Sequence, residues 1–367
     1  MMEFIPLGKP DITDSDIEAV VKVLKSGMLI QGENVLQLEK EFAGFHNMKH
    51  AVAVSNGTAT LHLALKVLDI GPGDEVLVPA LSYIATANVV ELIGATPVFV
   101  DTEPGTFNID VQQIEEKITS RTRAIIPVHE FGLACNMEAI CQLADQYNLA
   151  IIEDAACALG AKQNGKAAGS FGSMGSFSLH PRKSITSGEG GVLVTNEEKL
   201  AKKLRQFRNH GIEMENGKMN FVEAGFNYRL TDFQAALAAS QFKRIENILS
   251  YKQQLAEIYF NEIKNPRVTL PVVPEGHFHT WQTFHVLLDE TLDQQKVIAL
   301  LKEKNIGTNY GAQCMPAQTF YKNKYKLAFE TEFPNAYKAF TKGLALPLYE
   351  RLTKEQVLYI AQTINQL

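Results

Sequence analysis

Three residues in the middle of this 367-residue chain could together carry out covalent chemistry: Asp154, Ser178 and Lys183. Asp154 ends an apolar run typical of a buried strand, so its carboxylate is expected at the sheet edge where α/β proteins bind ligands. Ser178 lies in a second such run, residues 174–179, and Lys183 follows five residues later in a loop that closes with GEGG at residues 188–191. A lysine that can form a Schiff base, with an acid to keep a pyridinium nitrogen protonated, is the minimal apparatus for pyridoxal-phosphate chemistry.

Each of these features also has an ordinary structural interpretation. A lone aspartate after a strand is usually a helix cap, and a lone lysine in a loop is usually a solvated surface charge. The three glycines within residues 188–191 indicate positive φ or a close approach of backbones. Only the combination of these residues favours an active site.

The motifs around these residues resemble those of the DegT/DnrJ/EryC1/StrS family of sugar aminotransferases. The matching segments are DAACALGA from Asp154, SFSLHPRK ending at Lys183, and SGEGG from Ser187. In that family the lysine at this position binds pyridoxal 5'-phosphate covalently, and pyridoxamine phosphate is the aminated form of the cofactor. Relatives with histidine in place of the lysine are dehydratases, so a chain with Lys183 resembles the transaminating branch.

A phosphate site is predicted after the first apolar strand, residues 50–55. Backbone N–H groups at the following helix start and the Thr58 hydroxyl suit an anion, although an Asn or Thr here is more often only a helix cap. The order matches the family's phosphate-binding turn, which implies that Thr58, Ala59 and Ser178 bind the phosphate. The resemblance also implies that Tyr83 stacks on the cofactor ring; alternatively, Tyr83 packs at a helix start.

Two segments depart from the family pattern where chemistry takes place. Cys157, by position a cofactor contact, stands three residues after Asp154, where the family often has glutamine bound to the ring hydroxyl. The segment GTNYGAQCMPAQTFY at residues 307–321 lacks the common Pro-Leu-His pattern. The resemblance therefore does not define the ring-hydroxyl contact or the sugar specificity.

Two further residues have open interpretations. Asn227, in FNYRLTDFQAALAASQFKRIENI, matches the family asparagine that reaches the cofactor phosphate of the neighbouring subunit, which implies a homodimer with shared active sites. Alternatively, Asn227 only caps the following helix. His129, in PVHEFG, lies just past a predicted strand end and could line the site, but a capping or core histidine is more common.

Strand-like runs alternate with helical spacing through the first half of the chain, which predicts an α/β fold with a mostly parallel sheet sandwiched by helices. The seven predicted strands are 50–55, 75–79, 96–101, 122–128, 149–154, 174–179 and 191–195. With Lys183 between the last two, this arrangement resembles the large domain of fold-type I pyridoxal-phosphate enzymes. Residues 1–245 are predicted to form that domain, with an N-terminal helical segment, and residues 246–367 a smaller C-terminal α+β domain.

The composition disfavours several classes of partner. Thirty-five basic and 41 acidic side chains give a net charge of −6, which provides no field for nucleic acid or an anionic membrane. The N-terminus lacks signal-peptide features and no long uncharged apolar run follows, so a cytoplasmic protein without membrane contact is expected. The four cysteines lack paired spacing, which predicts reduced thiols and no metal site.

The activity implied by the resemblance is transfer of an amino group from an amino acid, by resemblance L-glutamate, to a keto group of a nucleotide-linked sugar. Such a step belongs to amino-sugar biosynthesis for a surface polysaccharide or a glycosylated metabolite, and ping-pong kinetics are expected. A pyridoxal-phosphate-dependent sugar dehydratase or lyase remains an alternative, as does a non-catalytic effector-binding protein. The retained set of Asp154, Ser178 and Lys183 disfavours the binding protein, which would not need the amine.

Overall fold

The computed structural model describes residues 3–367. Its strands are, in chain order, His50–Val54 (β1), Glu75–Pro79 (β2), Leu81–Ser82 (β3), Thr96–Val100 (β4), Thr122–Ile125 (β5), Ala150–Asp154 (β6), Lys162–Gln163 (β7), Lys166–Ala167 (β8), Met174–Ser178 (β9), Gly191–Thr195 (β10), Ile212–Glu215 (β11), Lys218–Phe221 (β12), Val268–Thr269 (β13), His277–Phe278 (β14), Phe284–Leu288 (β15), Gln313–Cys314 (β16) and Gly343–Leu346 (β17).

The α-helices are, in the same order, Asp14–Ser26 (α1), Glu33–Phe45 (α2), Gly57–Val67 (α3), Ala85–Leu92 (α4), Ile114–Lys117 (α5), Met137–Tyr147 (α6), Glu198–Arg208 (α7), Asp232–Phe242 (α8), Ile245–Glu262 (α9), Gln294–Glu303 (α10), Thr319–Tyr325 (α11), Phe329–Glu332 (α12), Pro334–Lys342 (α13) and Lys354–Ile364 (α14). Short 3-10 turns occupy Val111–Gln113, Glu130–Gly132 and Met315–Ala317. Within residues 3–367, none of the helices is long and apolar enough to cross a membrane.

The central sheet contains all seven strands that the sequence predicts. Their order across the sheet is β1-β10-β9-β6-β5-β2-β4. The five strands from β9 to β4 in this order run parallel, whereas β10 is antiparallel to both of its neighbours. The prediction of a seven-stranded, mostly parallel sheet is therefore confirmed, and the Lys183 loop connects two adjacent strands, β9 and β10.

Both faces of this sheet are covered by helices. Successive strand residues point to opposite faces, so Val52 of β1 joins a hydrophobic cluster with α3, α4 and α7. Its neighbour Ala53 joins a second cluster with α2 and α8 on the other face. Farther along that sheet, Leu77 and Ile151 pack with α6 in a third cluster. Burial on both faces explains why the strands are nearly continuous apolar runs.

The C-terminal part of the chain forms a separate antiparallel sheet of three strands in the order β13-β15-β17. Residues of α9, α10 and α14 pack with this sheet in one hydrophobic cluster, which confirms the predicted α+β character. The segment with β16, by contrast, pairs with β3 beside the large sheet. The predicted division at residues 245/246 coincides with the start of α9 and remains a prediction.

Candidate active site

A cavity of about 850 Å³ lies at the carboxyl edge of the parallel strands. Asp154 ends β6 and Ser178 ends β9, and the carboxyl ends of parallel strands meet at one edge of a sheet. Seven of the eight predicted site residues line this cavity, namely Thr58, Ala59, Tyr83, Asp154, Cys157, Ser178 and Lys183. Residues more than 120 positions apart in the sequence are thus brought to one site.

Asp154 is a buried carboxylate held in a defined orientation. It is 5% exposed, its Oδ2 accepts a hydrogen bond of 2.9 Å from the Thr86 hydroxyl, and its Oδ1 accepts one of 3.2 Å from the Ala156 N–H. Burial raises the pKa of Asp154, and the two hydrogen bonds and the Lys183 charge oppose that rise. A cation placed against this desolvated carboxylate would be strongly favoured.

Lys183 lies in a tightly closed loop between β9 and β10. Its Nζ is 3.0 Å from the Cys157 thiol, whose pKa is raised by burial and lowered in part by the lysine charge. The loop closes through Gly188, which has a φ of +80°. A Cβ added to Gly191 would lie 2.6 Å from the Asn56 carbonyl oxygen. The glycine prediction is confirmed in both forms, positive φ and close backbone approach.

The predicted phosphate site is a helix N-terminus beside a serine. Asn56 caps α3, because its Oδ1 accepts the Ala59 N–H at 2.8 Å. Thr58 is exposed at the first turn. A Cβ added to Gly57 would meet the Ser178 Cβ at 2.8 Å, so the glycine lets the helix start approach Ser178. The cap interpretation thus holds for Asn56, while the Thr58 and Ser178 hydroxyls remain available to an anion.

Tyr83 lies at the start of α4, where its carbonyl oxygen accepts the Thr86 N–H at 3.2 Å. Its side chain is 62% exposed, although it lines the cavity. A flat aromatic face is therefore present beside the residues that carry the chemistry. The stacking role of Tyr83 remains a prediction.

The two open interpretations are resolved differently. His129 is fully buried, with Nε2 3.0 Å from the Glu153 carboxylate and Nδ1 accepting the Cys135 N–H at 3.0 Å, so it is a core histidine. Asn227 is exposed, and of the eight predicted residues it is the one that does not line this cavity within residues 3–367. The alternative that it caps α8 is wrong, because Thr231 caps that helix.

Glu130 and Lys252 also line the cavity but were missed by the sequence interpretation. Glu130 is 5% exposed, and burial raises its pKa to about 8, although the Lys183 charge opposes this. Its signal was an acid two residues after the apolar run 122–128, which ends at the same sheet edge. Lys252 is 3% exposed, and burial lowers its pKa. Its signal was a lysine spaced with Leu249 and Leu255 on the buried face of α9.

The donor set of this cavity fits pyridoxal phosphate. Asp154 supplies a desolvated carboxylate for a cationic ring nitrogen, and Lys183 supplies a primary amine for the aldehyde carbon. The helix start at Thr58 supplies donors for the phosphate. These three functions occur together in one cavity.

Known proteins share both the sequence pattern and the architecture. The sequence model of the DegT/DnrJ/EryC1/StrS aminotransferase family matches residues 10–365. The chain is 37% identical over 369 residues to GDP-perosamine synthase of Escherichia coli O157:H7, covering 100% of this chain and 99% of that protein. It is 44% identical over 263 residues to GDP-perosamine synthase of Caulobacter vibrioides, covering 71% of each.

Among solved structures, the putative sugar aminotransferase Spr1654 from Streptococcus pneumoniae has the same fold. Its form with pyridoxamine phosphate superposes with a TM-score of 0.93 at 29% identity, covering 99% of this chain and 97% of that one. Its form with pyridoxal phosphate gives the same TM-score and identity and covers 98% of that chain.

Proposed function

The chain belongs to the DegT/DnrJ/EryC1/StrS aminotransferase family, and from this premise we propose that it transfers an amino group from L-glutamate to a keto group of a nucleotide-linked sugar. Membership establishes a pyridoxal-phosphate-dependent sugar aminotransferase of fold type I. The observation that carries the proposal is the placement of the Lys183 amine and the buried Asp154 carboxylate in one cavity of about 850 Å³. Two relatives named GDP-perosamine synthase favour a GDP-linked keto sugar as the first acceptor to test.

The chain's own residues have distinct tasks in this proposal. When bound, pyridoxal phosphate supplies an electron sink for the carbon that carries the amino group. Asp154 binds the ring nitrogen and keeps it protonated, because a cation relieves the cost of burying the carboxylate. Lys183 in its neutral form accepts and returns a proton at Nζ, and its closed loop holds that atom beside Cys157.

The remaining predicted residues hold the cofactor in place. Thr58 and Ser178 would donate their hydroxyl hydrogens to the phosphate at the start of α3. Ala59 forms the same turn, but its N–H already binds Asn56, so its contribution is to shape the turn rather than to donate. Tyr83, which lines the cavity, would cover the ring with its flat face. Cys157, 3.0 Å from the Lys183 Nζ, would contact the ring.

The acceptor side of the cavity is built by the C-terminal part of the chain. Residues 309–313 and 348–350 line it, together with Lys252. The first of these segments lies within the stretch that lacks the family's Pro-Leu-His pattern. Sugar specificity is therefore assigned to contacts from residues 309–313, which line the same cavity as the cofactor-binding residues.

A single-turnover experiment tests the donor. We expect the holoenzyme, mixed with L-glutamate and no sugar, to release one equivalent of 2-oxoglutarate per site and to change its visible absorbance. D-Glutamate is the matched control and is expected to do neither. Adding a GDP-linked keto sugar to the aminated enzyme should restore the spectrum and yield an amino sugar, with UDP- and dTDP-linked keto sugars compared in parallel.

Other outcomes of this experiment identify the alternatives. A deoxygenated sugar product, together with the absence of glutamate-dependent turnover, would indicate a dehydratase on the same scaffold. A holoenzyme whose spectrum and 2-oxoglutarate release do not respond to any amino acid would indicate an effector-binding protein.

We further propose that the working unit is a homodimer whose sites are shared between the subunits. Asn227 lies outside the cavity of its own chain within the described residues, so any cofactor contact it makes is in another subunit. The preceding hairpin of β11 and β12 exposes Met214, Met219 and Phe221 at 61%, 68% and 65%, an apolar surface suited to a subunit contact. A buried phosphate dianion also benefits from an additional amide donor.

Subunit exchange between two inactive variants tests the shared site. Lys183→Ala removes the amine, and Asn227→Asp places a negative charge against the phosphate. If the two residues serve one site from different chains, a mixed dimer has one site with both lesions and one with neither. A 1:1 mixture is therefore expected to recover about a quarter of wild-type activity, because half of the dimers are mixed.

Each variant exchanged with itself is the control and should stay inactive. A mixture that remains inactive while wild-type protein survives the same exchange would remove the shared-site proposal. Full activity in a protein that sediments as a monomer would also remove the shared-site proposal.

A further inference from the structure

Glu130 is a buried acid of the cavity that has no task in the proposed reaction. It begins the 3-10 turn Glu130–Gly132, in the segment that follows β5. Its N–H donates to the Asn108 side-chain oxygen at 2.9 Å, and its carbonyl oxygen accepts the Leu133 N–H at 3.0 Å. In Gly132, with φ of +105°, a Cβ would lie 2.5 Å from the Thr280 hydroxyl. The turn is therefore fixed, and it holds the Glu130 carboxyl in the cavity wall.

The titratable groups that face Glu130 are Lys183, Asp154, Cys157 and Cys135. Burial is the largest influence on the carboxyl and raises its pKa to about 8, while the Lys183 charge lowers it and Asp154 raises it further. The charge of Lys183 thus acts on two buried carboxyls in this part of the cavity, those of Asp154 and Glu130. When like charges crowd one site, one of the two carboxyls retains its proton.

A chain of hydroxyl groups connects the two carboxyls. The Ser82 hydroxyl hydrogen bonds to the Glu130 carboxyl and lies 3.3 Å from the Thr86 hydroxyl. Thr86 in turn donates to Asp154 at 2.9 Å. Both carboxyls accept hydrogen bonds, Asp154 from the Thr86 hydroxyl and the Ala156 N–H, and Glu130 from the Ser82 hydroxyl and the Phe131 N–H. Asp154 is the carboxyl that pairs with the cationic ring nitrogen in the proposed function, so it carries the negative charge. Glu130 is then the neutral member of the pair.

The ring oxygen of pyridoxal phosphate is attached to the carbon next to the one that bears the aldehyde. Because Lys183 would bond to the aldehyde carbon, that oxygen would lie near Nζ, and the Cys157 thiol is 3.0 Å from Nζ. A thiol is only a weak hydrogen-bond donor, whereas a protonated carboxyl is a strong one. Glu130 lines the same cavity as Cys157 and can supply the donor that a thiol provides poorly.

We propose that Glu130 is a further cofactor-contacting residue, which keeps its proton in the working enzyme and donates a hydrogen bond to the ring oxygen of pyridoxal phosphate beside Lys183. This inference rests on the proposed binding of the cofactor by Lys183 and Asp154. A donor to the ring oxygen stabilises negative charge there and weakens that oxygen as an acceptor for the proton on the neighbouring nitrogen. The cofactor's visible absorbance therefore titrates at a lower pH than it would without Glu130.

Four holoenzymes separate the possible roles: wild type, Glu130→Leu, Glu130→Gln and the control Glu189→Gln. Glu189 lines the same cavity but is exposed. Glu189→Gln therefore makes the same replacement of a carboxyl by an amide at a position in contact with solvent. We expect Glu130→Leu to raise the midpoint of the absorbance titration by about one pH unit, the size of one hydrogen bond to a charged group. Its affinity for pyridoxal phosphate should fall about tenfold for the same reason.

Glu130→Gln keeps a donor in the same place and has no charge to gain or lose. Its midpoint should stay within a few tenths of a unit of wild type, as should that of Glu189→Gln. A lower midpoint in both Glu130→Gln and Glu130→Leu would overturn the proposal, because it would show that the carboxyl is ionised in the holoenzyme. An unchanged midpoint in both would overturn it by excluding contact.

If Glu130→Leu does not fold, Glu130→Ala is measured and interpreted in the same way. Failure of the proposed function has a different signature. A wild-type protein that forms no borohydride-stable bond to pyridoxal phosphate would invalidate the lysine assignment itself, and the Glu130 contact with it.

Discussion

Lys183→Ala is expected to abolish amino transfer, with a loss of roughly 10⁴-fold or more, because it removes the amine that moves the proton. It should also eliminate the covalent adduct that borohydride traps between the chain and pyridoxal phosphate. The structural basis is the position of Nζ inside the cavity, 3.0 Å from the Cys157 thiol and in the field of Asp154. Mass spectrometry of the reduced, digested protein locates the adduct, and steady-state assays measure the rate.

Lys252 provides the matched control, because it is a second lysine in the same cavity; it is buried, and burial lowers its pKa. Its Nζ binds the Ser184 hydroxyl at 3.2 Å and lies 3.8 Å from the Glu350 carboxylate, so it is already engaged. Lys252→Met is expected to retain the trapped adduct on Lys183. An adduct that persists in Lys183→Ala and disappears in Lys252→Met would transfer the covalent role to Lys252.

The second large effect is expected for Asp154→Asn, which should lower turnover by several orders of magnitude and leave the fold intact. A neutral amide cannot hold the ring nitrogen protonated. An ion pair of this kind contributes roughly a few kcal/mol to the transition state, at about 1.36 kcal/mol per factor of ten in rate. Measurement of kcat and of the thermal unfolding midpoint separates the effect on chemistry from the effect on stability.

The sign of the stability effect follows from the raised pKa of Asp154. A carboxyl whose pKa is raised by folding favours the folded state only while it is protonated, and that contribution is lost as the pH rises through the folded pKa. At neutral pH the unliganded Asp154→Asn protein should therefore be at least as stable as wild type. Near-normal turnover in this variant would contradict the assignment.

Asp101 is the matched control for this substitution. It is 1% exposed, and its carboxylate accepts the N–H groups of Asn335 at 3.0 Å and Ala336 at 2.8 Å, at the start of α13. Asp101→Asn weakens a helix start and should lower the unfolding midpoint by a few degrees, since such caps contribute about 1 kcal/mol. Its turnover should remain near that of wild type. Asp154→Asn is thus expected to lower turnover and not stability, whereas Asp101→Asn is expected to lower stability and not turnover.

Sequence by itself determined the sheet and the chemical residues that end its strands. All seven strands could be predicted because each is a short apolar run, and burial on both faces makes that pattern local and clear. Asp154 and Ser178 could be placed together because the carboxyl ends of parallel strands meet at one edge. Lys183 could be placed near them because it is only five residues from Ser178 along the chain. The role of its loop glycines could be predicted because glycine readily adopts backbone conformations that other residues avoid.

Tertiary structure alone decided which polar side chains are buried with the cofactor-binding residues. Lys252 and Ser184 are 68 positions apart in the sequence, and their contact depends on how α9 packs beneath the Lys183 loop. His129 and Glu130 are adjacent, yet one pairs with Glu153 in the core and the other lines the cavity. Burial and charge partners arise from segments distant in sequence, whereas a motif describes only neighbours along the chain, so these roles could not be derived from local pattern.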